Sequence, residues 1–174
     1  MGERGTYAYL LLNIMVKKRK LFRLTRGWYS SREDPTLAVF CFKPAYLGLQ
    51  EALSIHNLWD QETNTIILTT KTIREGRRSI FGKNVIVKRL SKNLFFGVEY
   101  KSYGGTYIPV SDIEKTFLDL LYFNQPIDGK TMKIIKKKYN HKKMDEYLRY
   151  YDKKMKQKVQ NIMKYKNQKI LEKL

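Results

Sequence analysis

The chain has 174 residues, of which 43% are hydrophobic, so it can bury a core and is not a chain that is disordered throughout. Lys and Arg number 35 against 16 Asp and Glu, and the net charge of +19 favours a polyanionic partner such as nucleic acid or an acidic protein surface. The longest apolar run, residues 7–16, is too short to cross a bilayer and lacks the small-residue cleavage site of a signal peptide, so no membrane association is expected.

The first predicted elements are a short helix and a basic hairpin. The helix is predicted over Tyr7–Met15, and two strands over Lys20–Leu24 and Trp28–Ser31, with a tight turn between them. A helix followed by such a hairpin is typical of the closing half of a winged helix, in which the hairpin is the wing. A polar break follows, so we predict a partial winged-helix unit over residues 1–33.

Six cations cluster on and before the hairpin: Lys17, Lys18, Arg19, Lys20, Arg23 and Arg26. In a wing they would contact phosphates, which positions a protein on duplex DNA without reading its sequence. The interleaved aromatic residues alternate with the charges and are expected to be core residues rather than stacking platforms. A complete helix-turn-helix has about three helices before its wing, and only about 15 residues precede this one. The unit is therefore reduced, is completed by a partner chain, or has lost DNA binding.

Residues 34–126 are predicted to form a mixed, largely antiparallel sheet with flanking helices, which makes the chain an α+β protein. The predicted elements are a strand at Leu37–Phe42, a helix at Pro44–His56, and strands at Thr65–Thr70, Asn84–Leu90, Leu94–Tyr100 and Thr106–Val110. The single cysteine, Cys41, lies in the first of these strands. We expect it to be buried in a reduced, cytoplasmic protein without an internal disulfide.

A helix is predicted to start at Ser111. Ser111 and Glu114 have the spacing of a capping box, in which each side chain bonds a free amide of the first turn. The apolar face of this helix comprises Ile113, Phe117, Leu118, Leu120, Leu121 and Phe123. The opposite side carries Glu114, Lys115, Thr116 and Asp119.

Residues 127–174 form a predicted Lys-rich helical tail. The tail holds 16 basic and 5 acidic residues, a net charge of +11. Apolar residues recur every three or four positions from Thr131 onward, and Asn140 with His141 is expected to divide the tail into two helices. The tail could bind nucleic acid, dock on an acidic partner, or only solvate the protein.

Residues that support catalysis are scarce in this chain. His56 and His141 lie in different segments and are expected to be structural or surface residues, and there is no zinc-ligand spacing or phosphate-binding glycine loop. We therefore predict no metal, no cofactor and no enzymatic activity. One alternative is a metal-dependent nuclease built on Glu99 and Lys101, which would need a further carboxylate such as Asp60 or Glu62. Alternating solvent-facing charges on a strand explain the same Glu-x-Lys pair more simply.

Taken in order, five segments resemble the AbiEi antitoxin family. They are KRKLFRLTRGWYS (Lys18–Ser30), AYLGLQEALSIHNLW (Ala45–Trp59), TIILTTK (Thr65–Lys71), FGVEY (Phe96–Tyr100) and IPVSDIEKTFLDLLYF (Ile108–Phe123). The resemblance covers about residues 7–125. It implies an N-terminal winged helix joined to an α/β domain, here residues 34–126. It also implies the antitoxin of a type IV toxin–antitoxin and phage-defence module, which counteracts a nucleotidyltransferase toxin of the AbiEii type without a stable complex and represses its own operon.

The resemblance also implies roles for individual residues. The wing positions would be Lys18, Arg19, Lys20, Arg23, Arg26, Gly27 and Tyr29. The markers of the second domain would be Ala52, Leu53, His56, Leu58, Glu114, Lys115, Thr116 and Asp119, which we expect to be structural. The chain departs from the family by its shortened helix-turn-helix, so a nucleic-acid-binding module without an antitoxin role stays an alternative, and the oligomeric state stays open.

Overall fold

The computed structural model describes the backbone of residues 3–171 and the side chains of residues 7–163. Its strands are β1 (Phe22–Thr25), β2 (Trp28–Ser30), β3 (Ala45–Leu47), β4 (Thr65–Thr69), β5 (Gly76–Ile80), β6 (Lys83–Arg89), β7 (Val98–Tyr103) and β8 (Thr106–Ser111). Its α-helices are α1 (Glu3–Lys17), α2 (Leu49–Ile55), α3 (Ile113–Tyr122), α4 (Gly129–Lys138), α5 (His141–Leu148) and α6 (Lys153–Leu171), and 3₁₀ helices lie at Pro35–Phe42 and Lys92–Leu94. None of these described helices has the length and apolar character that crossing a bilayer requires.

Strands β3 to β8 form one mixed sheet in the order β5-β6-β4-β3-β8-β7, and β1 pairs with β2 in a separate hairpin. The pairs β3–β4, β5–β6 and β7–β8 are antiparallel, whereas β3–β8 and β4–β6 are parallel. The predicted α+β class and the largely antiparallel, mixed character of the sheet are therefore confirmed. The predicted helix and hairpin at the N-terminus are also present.

The two faces of the sheet belong to two hydrophobic cores. Side chains alternate between the faces of a strand, so Tyr46, Ile66 and Leu68 join one core while Leu47 and Ile67 join the other. The first core is covered by helices α3 to α6. The second is covered by the 3₁₀ helix Pro35–Phe42 and by β1 of the hairpin.

The predicted strand at Leu37–Phe42 is wrong, because this run lies in the 3₁₀ helix that begins at Pro35. The Asp34 carboxylate accepts a hydrogen bond of 2.9 Å from the Thr36 amide, and proline suits the first helical position. A short run of apolar residues fits a buried helix as well as a buried strand, so the pattern did not separate the two. Cys41 is buried as expected, and burial raises its pKa to about 11.

The predicted helix at Pro44–His56 is wrong in its first part. Ala45–Leu47 is strand β3, which pairs with β4 and β8, and the helix begins only at Leu49. Gly48 separates the two elements at a close contact, since a Cβ there would lie 2.7 Å from the Leu68 Cδ1 atom. A strand that is buried on both faces lacks the alternation that marks a half-exposed one.

Two further strands differ from the sequence prediction. The predicted strand at Leu94–Tyr100 begins instead at Val98 and continues to Tyr103, because Lys92–Leu94 is a 3₁₀ turn. Strand β5 was not predicted, since its Arg77 and Arg78 obscure the pattern. It is an edge strand, where charged residues are tolerated because one side of the strand is open to water.

The capping box predicted for α3 is wrong by one residue. Asp112 is the N-cap, and its Oδ1 atom accepts a hydrogen bond of 2.8 Å from the Lys115 amide, while Ser111 is the last residue of β8. The helix is also buried on both sides, including its charged residues from Glu114 to Asp119. Its charged side is therefore part of the interior and not a solvated face.

The described part of the tail forms helices α4, α5 and α6, so the prediction of two helices is wrong. Asn140 does divide the tail, as the N-cap of α5, but a second break at Arg149–Asp152 separates α5 from α6. Ile135, Met144, Tyr151, Met155 and Val159 are buried in the first core. The tail therefore completes the core, although residues 172–174 lie outside the described residues, as do residues 1–2 of the predicted first unit.

Candidate functional site

The first candidate site is the basic arm, defined here as residues 17–29. All six of its cations are exposed, and no acidic side chain pairs with them in the described part of the chain. Tyr29 is half-buried, and Trp28 keeps 43% of its surface exposed, more than expected for a core residue. The arm therefore offers uncompensated positive charge to a polyanion.

The end of α1 is set by a Schellman motif. The Lys20 amide donates to the Met15 carbonyl at 2.9 Å, and the Arg19 amide donates to the Val16 carbonyl at 3.0 Å. Arg19 adopts the left-handed conformation of this motif, with φ of 54°. The chain thus leaves the helix at Arg19 and enters β1 directly, which places four consecutive cations at the junction.

The hairpin turn places Arg26 at its exposed tip. Thr25 faces Trp28 across the turn, and Gly27 has a φ of 76°, a conformation that glycine adopts without strain. The preceding strand is held by Leu24, which is buried in the second core. The arm therefore packs against the second core through Leu24. The domain boundary predicted near residue 33 stays a prediction.

A second basic hairpin, β5–β6, adjoins the arm and was not found in the sequence analysis. The segment 71–92 carries eight basic residues and one acidic residue, Glu75. Arg77 and Lys83 are exposed and have no acidic partner among the described residues, whereas Arg89 lies 3.5 Å from Glu75. The signal that identifies this hairpin in the sequence is its local charge, eight minus one or +7 within residues 71–92.

The two hairpins meet through an aromatic contact. Phe81 occupies the two-residue turn of β5–β6 with a φ of 54°, where a small residue such as Asn or Gly is usual. Its ring meets the Phe22 ring of β1 edge to face, with centroids 6.1 Å apart and an interplanar angle of 84°. This contact brings Lys83, which follows the turn that contains Phe81, onto the same region of the surface as the basic arm.

The second group of candidate residues, the family markers, meets inside the body. The His56 Nε2 atom donates to the Ser111 carbonyl at 2.7 Å and thereby joins the end of α2 to the end of β8, immediately before α3. Ala52, Leu53 and Leu58 are buried beside it, and the Thr116 hydroxyl donates to the same carbonyl at 3.2 Å. Glu114 accepts from the Asn140 amide at 2.6 Å and so fixes the start of α5.

Lys115 and Asp119 form a fully buried ion pair on α3, with 0% of either side chain exposed. The Asp119 carboxylate also accepts from the Tyr46 hydroxyl at 2.7 Å. The Lys115 ammonium donates to the Tyr151 hydroxyl at 3.3 Å and lies over the Phe96 ring, 4.9 Å from its centroid. Burial lowers the pKa of Lys115 and raises the pKa of Asp119, while the Coulomb attraction between them opposes both shifts.

The surroundings of this pair leave no room for a ligand. Gly97 has a φ of 64°, and a Cβ on it would lie 2.7 Å from the Lys115 Cβ atom and 3.0 Å from the Tyr147 ring. The Tyr147 hydroxyl donates to Asp112 at 2.7 Å, and its pKa is raised by burial and by that carboxylate. The structural role expected of the markers stays a prediction, and these interior contacts are the observations that support it.

The alternative nuclease centre is not assembled. Lys101 lies 2.8 Å from Glu99, and the His56 ring lies 3.8 Å from the same carboxylate. Asp60 is ion-paired with Lys130 instead, and Glu62 lines a different cleft with Glu51. In the described residues no group of three or more His, Cys, Asp or Glu side chains is placed to hold a metal ion. His141 lies at the surface, where its Nδ1 atom is 2.9 Å from the Tyr139 hydroxyl oxygen.

Comparison with protein-family models and with curated proteins found no match for this chain. The arrangement of the residues themselves is therefore the basis for any functional assignment.

The contact between Phe22 and Phe81 predicts a measurable coupling between the hairpins. Edge-to-face pairs contribute about 0.5–1.5 kcal/mol beyond their buried area. We expect a double-mutant cycle with Phe22→Leu and Phe81→Leu to give a coupling free energy of that size in urea unfolding, since leucine keeps the apolar character of each site. Additive effects of the two substitutions would contradict the contact.

The buried pair predicts an asymmetry between single and double substitutions. Lys115→Met leaves the Asp119 carboxylate in a dry site without its cation, which should lower the free energy of unfolding by about 3–5 kcal/mol. Lys115→Met combined with Asp119→Leu should lose less than the single variant, because no unpaired charge remains buried. The measurement is urea unfolding followed by circular dichroism.

Lys130→Met is the matched control, because it breaks the exposed pair with Asp60 and should leave stability unchanged. A double variant that is less stable than Lys115→Met would contradict this prediction, because an unpaired buried charge would then not be the cause of the lost stability.

Proposed function

We propose that this protein is an antitoxin of the AbiEi type whose basic arm binds duplex DNA. The observation that carries the proposal is the meeting of the family markers in one buried network between α2 and α3, joined by the bond from His56 to Ser111. Residues that are bonded to one another and closed to solvent specify a fold rather than a reaction centre. We assign to this body the neutralisation of a nucleotidyltransferase toxin of the AbiEii type, which in the type IV scheme needs no stable complex.

The DNA-binding part of the proposal rests on the shape and charge of the arm. Its cations are exposed, while the arm itself is fixed by Leu24 and by the contact between Phe22 and Phe81. A hairpin held in this way can follow a phosphate backbone without losing much conformational freedom on binding. The neighbouring cation Lys83 extends the same surface, because it pairs with Ile80 of the second core, whereas Arg77 pairs with Ile86 on the face of the first core. Repression of the operon through this arm is the regulatory role that we assign to it.

The arm predicts a defined dependence of DNA affinity on salt. Replacing Lys18, Lys20, Arg23 and Arg26 by Gln should reduce the slope of log K against log salt concentration by about 3–4 units, since each phosphate contact contributes about 0.9. The measurement is fluorescence anisotropy with a duplex from upstream of the gene, titrated at several salt concentrations.

The matched control removes four exposed lysines from the tail by Lys133→Gln, Lys137→Gln, Lys138→Gln and Lys142→Gln. This control has the same net charge as the arm variant and should keep the wild-type slope. An equal loss of slope in both variants would show that binding follows net charge and not the arm. A wild-type affinity that does not change with salt would reject DNA binding by this surface.

The antitoxin role predicts rescue of growth. Expression of the adjacent gene should arrest growth, and coexpression of this protein should restore it. The arm variant should also restore growth while losing repression of the operon, because the arm lies on the opposite side of the sheet from the helical layer. Rescue would be measured as colony counts and repression with a promoter fusion. An adjacent gene that is not a nucleotidyltransferase, or toxicity that this protein leaves unchanged, contradicts the proposed role.

A further inference from the structure

Helix α1 carries an apolar stripe that nothing covers in the described chain. The stripe comprises Tyr7, Leu10, Leu11 and Ile14, which keep 69%, 57%, 45% and 39% of their surfaces exposed. These positions follow the spacing i, i+3, i+4, i+7, so they lie on one face of the helix. Such a face is normally buried against another element.

The other side of α1 already faces the protein's own hairpin. Leu12, Met15 and Val16 are half-buried, and Leu12 lines a groove together with Arg26 and Tyr29 of the arm. The helix thus carries apolar residues on two sides, and in the part of the chain that the structure describes only the side towards the hairpin has a partner. The exposed stripe therefore needs a second partner.

The pattern of the stripe fits a second copy of the same stripe. Its positions are symmetric about the midpoint between Leu10 and Leu11. If two α1 helices pack antiparallel around a two-fold axis at that point, Tyr7 of one copy meets Ile14 of the other, and Leu10 meets Leu11. This is the self-complementary arrangement that a two-fold interface requires, in which residue i contacts j and j contacts i.

The distribution of charge permits this pairing despite the net charge of the chain. Residues 7–16 contain no charged side chain, and Lys17 and Lys18 of one copy come level with Arg4 and Glu3 of the other, so each end of the pair includes an acidic residue. In the antiparallel arrangement the two Lys17 residues lie about 20 Å apart along the helix axis, at about 1.5 Å per residue. That separation exceeds the screening length of about 8 Å at physiological salt. A parallel pairing would instead bring the two basic arms together.

From these observations we propose that α1 forms an antiparallel, two-fold homodimer contact through Tyr7, Leu10, Leu11 and Ile14. Four side chains bury less than the roughly 800 Å² per partner of a standard interface, so we expect a weak, reversible dimer. The basic arm follows the contact directly and stays accessible at both ends of the helix pair. The contact does not depend on the antitoxin or DNA-binding role.

Sedimentation velocity between about 1 and 200 µM tests the dimer, since micromolar affinity falls within this range. The mass of the wild-type chain should rise from 20.8 kDa towards twice that value. The variant Leu10→Gln with Leu11→Gln should stay monomeric over the same range. Its helix should be retained, because Gln and Leu have similar helix propensities, and circular dichroism checks this.

The matched control is Tyr100→Gln with Tyr107→Gln, which removes two other exposed aromatic residues from β7 and β8. This control should dimerise like the wild type. A wild-type chain that is monomeric at every concentration overturns the proposal and assigns the stripe to a different partner. Dimerisation of the Leu10 and Leu11 variant also overturns it.

Cysteine cross-linking tests the antiparallel orientation. The variant Tyr7→Cys with Ile14→Cys should form covalent dimers when two thiols are oxidised to a disulfide by copper phenanthroline, because the two positions meet across the axis. Each single variant should remain uncross-linked, since the two copies of one position lie about 10 Å apart along the axis. The native Cys41 does not compete, because it is buried and its pKa is raised to about 11. Cross-linking of the single variants would indicate parallel pairing and overturn the arrangement.

Discussion

The body of this protein is organised around a lysine that has no contact with water. Lys115 lies in the first core, where the Asp119 carboxylate, the Tyr151 hydroxyl and aromatic rings compensate its charge. A buried charge without such partners is strongly destabilising, so these groups must be brought together in one arrangement. They come from α3, β3, the turn before β7 and the tail. The position of one ammonium group thus constrains four separate parts of the chain.

The sheet separates the two layers to which we assign the two proposed roles. On one face, α3 to α6 form a layer whose buried polar groups include the Lys115–Asp119 pair. On the other face, the 3₁₀ helix Pro35–Phe42 supports the arm through Leu24, and the β5–β6 hairpin adds the contact between Phe22 and Phe81. The proposed nucleic-acid surface therefore belongs to one layer, while the helical layer remains available to a protein partner.

Much of the fold could be predicted from sequence because its strands and its first hairpin have local signals. The strands β4, β6 and β8 have β-branched runs, and Gly27 marks a turn that its φ of 76° requires. The errors arose where burial on both sides removes periodicity, as in β3 and in the 3₁₀ helix around Cys41. In α3, the pattern separated charged from apolar residues correctly, but it could not show that Tyr46 and Tyr151 would enclose the charged side.

The candidate sites were predictable to different extents for a related reason. The six cations of the arm are contiguous in sequence and were found by inspection. Lys83 joins them only because Phe81 reaches Phe22 from a distant part of the chain, and no local pattern contains that contact. The exposure of the stripe on α1 could not be predicted either, since the sequence of an apolar helix does not show whether another element covers it. Exposure is a tertiary property, and only the packed structure supplies it.

The location of Tyr151 has a consequence for the order in which the chain acquires its structure during synthesis. Lys115 leaves the ribosome well before Tyr147 and Tyr151, the residues of the tail that close its surroundings. Until they emerge, the Lys115 ammonium lacks the Tyr151 hydroxyl, so we expect α3 to dock incompletely on the sheet. Emergence of the Tyr147–Tyr151 segment from the ribosome is then expected to complete the first core.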